Sequence, residues 1–225
     1  MCTPMSLFHY YKGVRIPLHS SKLRSQGRLV MIDDSCEIGS TSLFCVLTAA
    51  VTDNARKIEK ITKVFPPNNV ENKHYKSLDE TKVKVLTEVK KCDIGIYAVS
   101  YRKSRLDLTT PKKKHIHNLG QTLELIEEVF INDDALTYDV MLDNTTLMDG
   151  YEDEFVKKCY DLAENYRKNI ENIEMRDSCG TRVLQIHDYI TGTIGAHIEN
   201  EKDTENECHE RFEIIGSKVR EIVRR

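Results

Sequence analysis

Several aspartates of this chain stand where a strand or an apolar helix could deliver a carboxylate to a shared crevice. Asp33 and Asp34 close the apolar run Leu29–Ile32, Asp143 closes the run Tyr138–Leu142, and Asp177 closes the run that follows. Strand ends of this kind feed the crevice in which α/β proteins place their ligands. Asp188 lies among Leu184, Ile186, Tyr189 and Ile190, too apolar a setting for a surface helix, so its carboxylate is expected to be partly buried and to need a partner. Two such charges about 4 Å apart repel by roughly 4 kcal/mol at an effective dielectric near 20. A convergent cluster therefore stays ionised only beside cations. Mg²⁺ or Mn²⁺ suits carboxylate oxygens better than zinc does, and either ion can activate a water while stabilising the attacking and leaving oxygens of a phosphodiester.

Each residue also has a plainer role open to it. An Asp at a strand end is often a turn former or a helix cap; Asp143-Asn144 reads as turn chemistry, and Asp177-Ser178 can cap the helix that follows. His115-Ile116-His117 could chelate a metal on a strand, but it follows Lys112–Lys114 at a helix start and reads as solvated. His187 points away from the Asp188 face and reads as structural. No P-loop, dinucleotide-binding or nucleophile-elbow motif occurs, so those chemistries find no support.

The elements that must position these side chains follow from hydrophobic period and punctuation. Strands are expected at 28–33, 42–51, 93–101, 137–143 and 170–176, the first two as a hairpin. Asn54 can cap a helix to about Val64, stopped by Pro66-Pro67. Ser77–Glu80 fits a capping box for a helix to about Lys91. Further helices are expected at 115–130, 152–167 and 182–198, with Pro111 in the loop ahead of the first. Residues 199–207 read as an acidic linker, and Phe212, Ile215, Val219 and Ile222 fit a final amphipathic helix over 211–225. Alternation of this kind implies an α/β fold: a mixed sheet with helices on its faces.

With 225 residues, 40% of them hydrophobic, the chain can bury one sizeable α/β core and an appended helix. The longest apolar stretch, Leu43–Val51, is too short to span a bilayer, and no leader opens the chain, so the expectation is a soluble cytoplasmic protein without membrane contact. The seven cysteines are scattered, with no C-x-x-C pair, and read as reduced structural thiols. The net charge of -3 is unevenly spread. No acid precedes Asp33, and Lys12, Arg15, Lys22, Arg24 and Arg28 occupy that lead. A second basic stretch runs Arg102, Lys103, Arg105 and Lys112–Lys114, and the balance then turns acidic. Charge runs are commonly solvated faces; phosphate binding requires the fold to bring both stretches beside one cleft.

Ile32-Asp33-Asp34-Ser35 with Gly39 and the apolar strand after it resembles the opening element of the family catalogued as domain of unknown function 3800. Leu184-Gln185-Ile186-His187-Asp188-Tyr189 resembles its closing helix, Leu142-Asp143-Asn144 an internal strand, and Asp177-Ser178 the pair before that helix. Lys76-Ser77 and Lys103 are similar to weaker internal positions. The likeness spans about residues 28–200. Cys36 stands where that family has Gly, and His74 where it often has an acid, with Glu80 or Glu88 as substitutes. The resemblance implies a ribonuclease H-like fold with Asp33 and Asp188 as metal ligands and Asp143 or Asp177 as the third.

Taken together, the expectation is a basic lead over 1–27, a ribonuclease H-like α/β domain over 28–200, and an acidic linker with a carboxyl-terminal helix over 201–225. The function expected is metal-dependent cleavage of RNA or DNA, with Asp33, Asp143 and Asp188 catalytic, Mg²⁺ or Mn²⁺ bound by these and Asp177, and the basic stretches on the phosphates. The alternative is a catalytically degenerate module of the same fold that binds nucleic acid or protein. The final helix could also join two copies of the chain.

Overall fold

In the computed structural model, residues 9–16, 27–35, 42–65, 74–105, 111–143, 151–178, 181–202 and 206–225 are described. Leu29 to Asp33 of β3 (Arg28–Ser35) are all buried, as are Cys45 to Thr52 of β4 (Phe44–Thr52). Strands without a polar face must be covered on both sides, and helices do cover both. β3 pairs antiparallel with β4, setting Asp33 opposite Thr48. β4 pairs antiparallel with β5 (Gly95–Arg102). On its other side β3 runs parallel to β6 (Thr137–Asp143), and β6 runs parallel to β7 (Asn169–Arg176).

The sheet extends beyond this core at both edges, in the order β2-β1-β7-β6-β3-β4-β5-β8. β1 (His9–Tyr11) and β2 (Val14–Ile16) form a hairpin whose turn residues Lys12 and Gly13 both have positive φ, 48° and 79°. That geometry matches the twist of a two-residue hairpin, and glycine adopts it without strain. β8 (Val219–Arg224) lies parallel to β5.

Alternation divides the core into two layers. Val30, Ile32, Val140 and Leu142 face α3 (Pro111–Asn132) and α4 (Glu152–Asn165). Leu29, Met31, Ala98 and Met141 face α1 (Ala55–Ile61), α2 (Asp79–Lys90), α5 (Arg182–Glu199) and α6 (Glu207–Ile215). α5 crosses β3 and β4 directly and buries ten of its residues, which makes it the central helix of its layer.

Four local expectations are corrected. Pro111 opens α3 and is not part of a loop; a first-turn proline loses no helical hydrogen bond. Ser77 does not cap α2, whose N-cap is Leu78, because the Ser77 hydroxyl is hydrogen-bonded to Tyr189. The tail is not one helix: α6 ends at Ile215, and the chain re-enters the sheet as β8. Finally, Cys92, Cys159 and Cys208 are free thiols, whereas Cys45 is disulfide-bonded. Bridging depends on proximity in space, roughly 7 Å or less between Cα atoms, which sequence spacing hides. Among the described residues no helix is long and apolar enough to cross a membrane.

Candidate metal centre

Asp33 follows Leu29 and Met31 in the period of two, so it projects from the face that α5 covers, and it is 6% exposed. Ile32 is registered with Leu142 on the parallel strand β6, which sets Asp143 one step further along, beside Asp33, at an interstrand spacing of about 4.8 Å. Met141 belongs to the α5 layer, so Asp143 rises from the same face. α5 brings Asp188 across from above. Asp143 and Asp188 thus come close enough, from separate segments, for their charges to act on Asp33.

Backbone amides hold each carboxylate. Asp34 N–H donates to Asp33 Oδ1 at 2.8 Å, Ser178 N–H to Asp143 Oδ1 at 3.3 Å, and His74 N–H to Asp188 Oδ2 at 2.6 Å. Burial pushes the Asp33 carboxyl well above its usual range, and the neighbouring charges of Asp34, Asp143 and Asp188 push it further the same way; the Asp34 amide opposes them only in part.

Asp177 is half-buried and precedes Ser178, whose N–H reaches Asp143; it does not occupy the α5 N-cap, which is Thr181. Glu80 and Glu88 pair with Lys84 and Lys91 at 2.5 Å on the outer side of α2, so neither replaces the acid that His74 lacks. His117 is half-buried against Tyr101 and Gln121 and is not solvated; the side chain of His115 lies outside the described residues.

Next to the carboxylates lies a set of buried polar groups, of which sequence reasoning named only His187, as structural. His187 Nε2 lies 3.0 Å from Thr48 Oγ1, and Thr48 Oγ1 lies 2.5 Å from Thr191 Oγ1. Burial pushes the His187 imidazole down to about 3, so it is neutral. On the neighbouring strands, Asn172 Nδ2 donates to Asp139 Oδ1 at 2.5 Å and Arg176 Nε to Glu174 Oε2 at 2.8 Å. Asp139 and Glu174 are each 1% exposed.

The donor set is made of hard carboxylate oxygens, which fit Mg²⁺ or Mn²⁺. Among the described residues no three His, Cys, Asp or Glu side chains form a ready-made cage. Mg²⁺ commonly takes one or two carboxylates and completes its shell with water and phosphate, so the arrangement is compatible with such an ion.

Positive charge is divided between the two ends of the sheet. Arg102 is exposed, lies on the α5 face beyond Ser100, and ends β5 at the same sheet end as Asp33; Lys103 follows, its N–H donating to Leu43 O at 2.8 Å. Arg28 sits at the opposite end, bound to Asp53 at 2.9 Å, Asp133 at 2.5 Å and Asp134 at 3.3 Å. Lys12, whose N–H donates to Glu171 O at 2.9 Å, is also at that far end. The expected meeting of both basic stretches beside one cleft therefore fails for Lys12 and Arg28, because the register of β1 and β3 turns them away from Asp33. Lys22 and Arg24 lie outside the described residues, as do the side chains of Arg15, Arg105, Lys112 and Lys114.

The chain is similar to the solved structure of the PCNA:RNase HII complex from Archaeoglobus fulgidus, with a TM-score of 0.53 and 10% sequence identity, over 85% of this chain and 91% of that one. No protein-family profile matches the sequence, and no curated protein matches it. A likeness at that identity speaks for architecture alone. The mixed sheet flanked by helices in two layers is accordingly a ribonuclease H-like fold.

Proposed function

We propose that this chain is a cytoplasmic, divalent-metal-dependent phosphodiesterase acting on nucleic acid, with Asp33, Asp143 and Asp188 holding Mg²⁺ or Mn²⁺. The observation that carries the reading is that Asp143 on β6 and Asp188 on α5, with Asp34, act on a buried Asp33 whose charge is disfavoured and which a cation would stabilise. When bound, such an ion supplies a water acidic enough to attack and neutralises charge on the phosphoryl oxygens. The chain's own residues place and orient. Backbone amides fix the three carboxylates, the α5 layer excludes water from behind Asp33, and Arg102 and Lys103 offer contacts to phosphates arriving at the carboxyl end of the sheet. The resemblance to the family of domain of unknown function 3800 supports the same residues.

With Mn²⁺ or Mg²⁺, the purified chain is expected to cleave at least one of RNA, DNA and RNA–DNA hybrid, to stop with chelator, and to lose at least about 10²-fold in rate in Asp33→Asn or Asp188→Asn. Intact substrates in all three cases, with neither variant altering the response to metal, would refute it. The lack of a three-ligand cage among the described residues favours a second reading, a module that binds nucleic acid without cutting it. Salt-sensitive binding indifferent to chelator would select that one.

A further inference from the structure

We infer that Thr48 and His187 form a buried strut that sets the separation of Asp33 from Asp188, making both positioning residues for the metal centre. The inference rests on the proposed centre and adds residues outside it.

Thr48 is the cross-strand partner of Asp33 on the α5 face, and cross-strand neighbours have Cβ atoms about 5 Å apart. His187 precedes Asp188 on α5 and turns inward, so that its ring meets Thr48. One hydrogen-bonded chain thereby ties the strand beside Asp33 to the helix turn that carries Asp188. Thr48, Thr191 and His187 are all at most 1% exposed, so no solvent competes for these bonds.

Proton accounting gives the strut a direction. Thr191 Oγ1–H donates to the His187 carbonyl at 3.1 Å, which leaves Thr191 Oγ1 to accept from Thr48. Thr48 Oγ1, its hydrogen spent, accepts from His187 Nε2–H. The imidazole is therefore the Nε2–H tautomer, and its Nδ1 is buried without a hydrogen-bond partner among the described residues. An orphaned ring nitrogen in a core costs stability that an apolar residue at 187 would avoid. Packing alone gives no reason for this histidine, whereas a rigid donor aimed at the strand beside Asp33 does.

The test measures Mn²⁺ affinity of the whole chain by electron paramagnetic resonance, alongside unfolding without metal. Thr48→Val keeps the shape and removes the hydroxyl; Thr48→Ser keeps the hydroxyl. The strut requires Thr48→Val to bind Mn²⁺ about 10- to 100-fold more weakly, as removal of groups supporting metal ligands generally does, with Thr48→Ser close to the parent. His187→Leu should weaken binding and His187→Gln, whose amide can donate, should restore part of it. Nitrogen NMR should find the His187 proton on Nε2. Folded Thr48→Val binding as tightly as the parent, or Thr48→Ser losing as much as Thr48→Val, overturns the strut while leaving the metal centre standing; if His187→Leu does not fold, the threonine pair decides. A parent chain that binds no Mn²⁺, with Asp33→Asn no different, overturns the centre and the strut together.

Discussion

Burial and three like charges act on Asp33 in the same direction, so this one residue should govern how stability responds to pH. Unfolded, its carboxyl ionises near pH 4; folded, it keeps its proton to a much higher pH. The sign follows from linkage: the stabilising contribution of the proton is complete below the unfolded value and is lost as pH rises through the folded one. Asp33→Asn removes this dependence. In chelator at pH 8 the variant should be more stable than its parent by on the order of 1–3 kcal/mol, and at pH 4 the two should converge. Calorimetric melts at both pH values check this, and a variant no more stable than its parent at pH 8 would contradict it. At this scale the burial of Asp33 and Asp143 and the half-burial of Asp188 were legible, because a carboxylate after an apolar strand, or inside an apolar helix, conflicts with its surroundings. Glu80 and Glu88 satisfy a similar compositional criterion, and helix phase turns them to lysines on the outer side of α2. Thr48 was illegible since a threonine in a strand conflicts with nothing.

Elements with a full period were readable: β6 spans the residues its alternation marks, and α5 ends one residue beyond its apolar stripe. The short edge strands β1 and β2 carry too few residues to show a pattern. The tail misled because Phe212, Ile215, Val219 and Ile222 are spaced for a helix, yet Val219, Ile222 and Val223 are β-branched and favour extended backbone once the chain turns at Gly216–Lys218. That tail packs inward, with Phe212, Val219 and Ile222 against the α5 layer and Val223 against the other, and is thereby part of the domain. Element packing also ties stability to the site at Gly192. A Cβ there would lie 2.5 Å from His74 Cγ and 2.9 Å from its Cβ, and the His74 amide holds Asp188. Gly192→Ala should cost about 1–3 kcal/mol and weaken Mn²⁺ binding. Gly120→Ala, with nothing within 4 Å of the new atom, should instead stabilise α3 by up to about 1 kcal/mol. Chemical denaturation of the two variants tests the contrast, and equal responses would mean that α5 and the His74 segment do not pack as described.

For the whole molecule, a net charge of -3 means that any attraction for a polyanion must come from how charge is placed and not from its sum. The amino end of the parallel strands offers little: Arg28 there is held by three aspartates, and a cavity of about 390 Å³ beside it is lined by Asp53, Asp93, Asp133 and Asp134 as well as Arg220. The carboxyl end combines the carboxylate centre with Arg102 and Lys103 at the close of β5. A phosphate backbone approaching there meets cations first, and a divalent ion at Asp33 would turn the acidic centre from a repulsive feature into an attractive one. Affinity for nucleic acid should therefore rise when Mn²⁺ is added and fall with salt. Replacing both Arg102 and Lys103 by alanine should lower the slope of log affinity against log salt by about 2 for duplex substrates, near 0.9 for each phosphate left without its cation. Arg220→Ala, at the amino end, should leave that slope unchanged. Binding titrations across a salt series measure all three chains. If the double variant and Arg220→Ala moved the slope alike, the polyanion would not be entering at the carboxyl end, and the cations near Asp33 would be ordinary solvated surface.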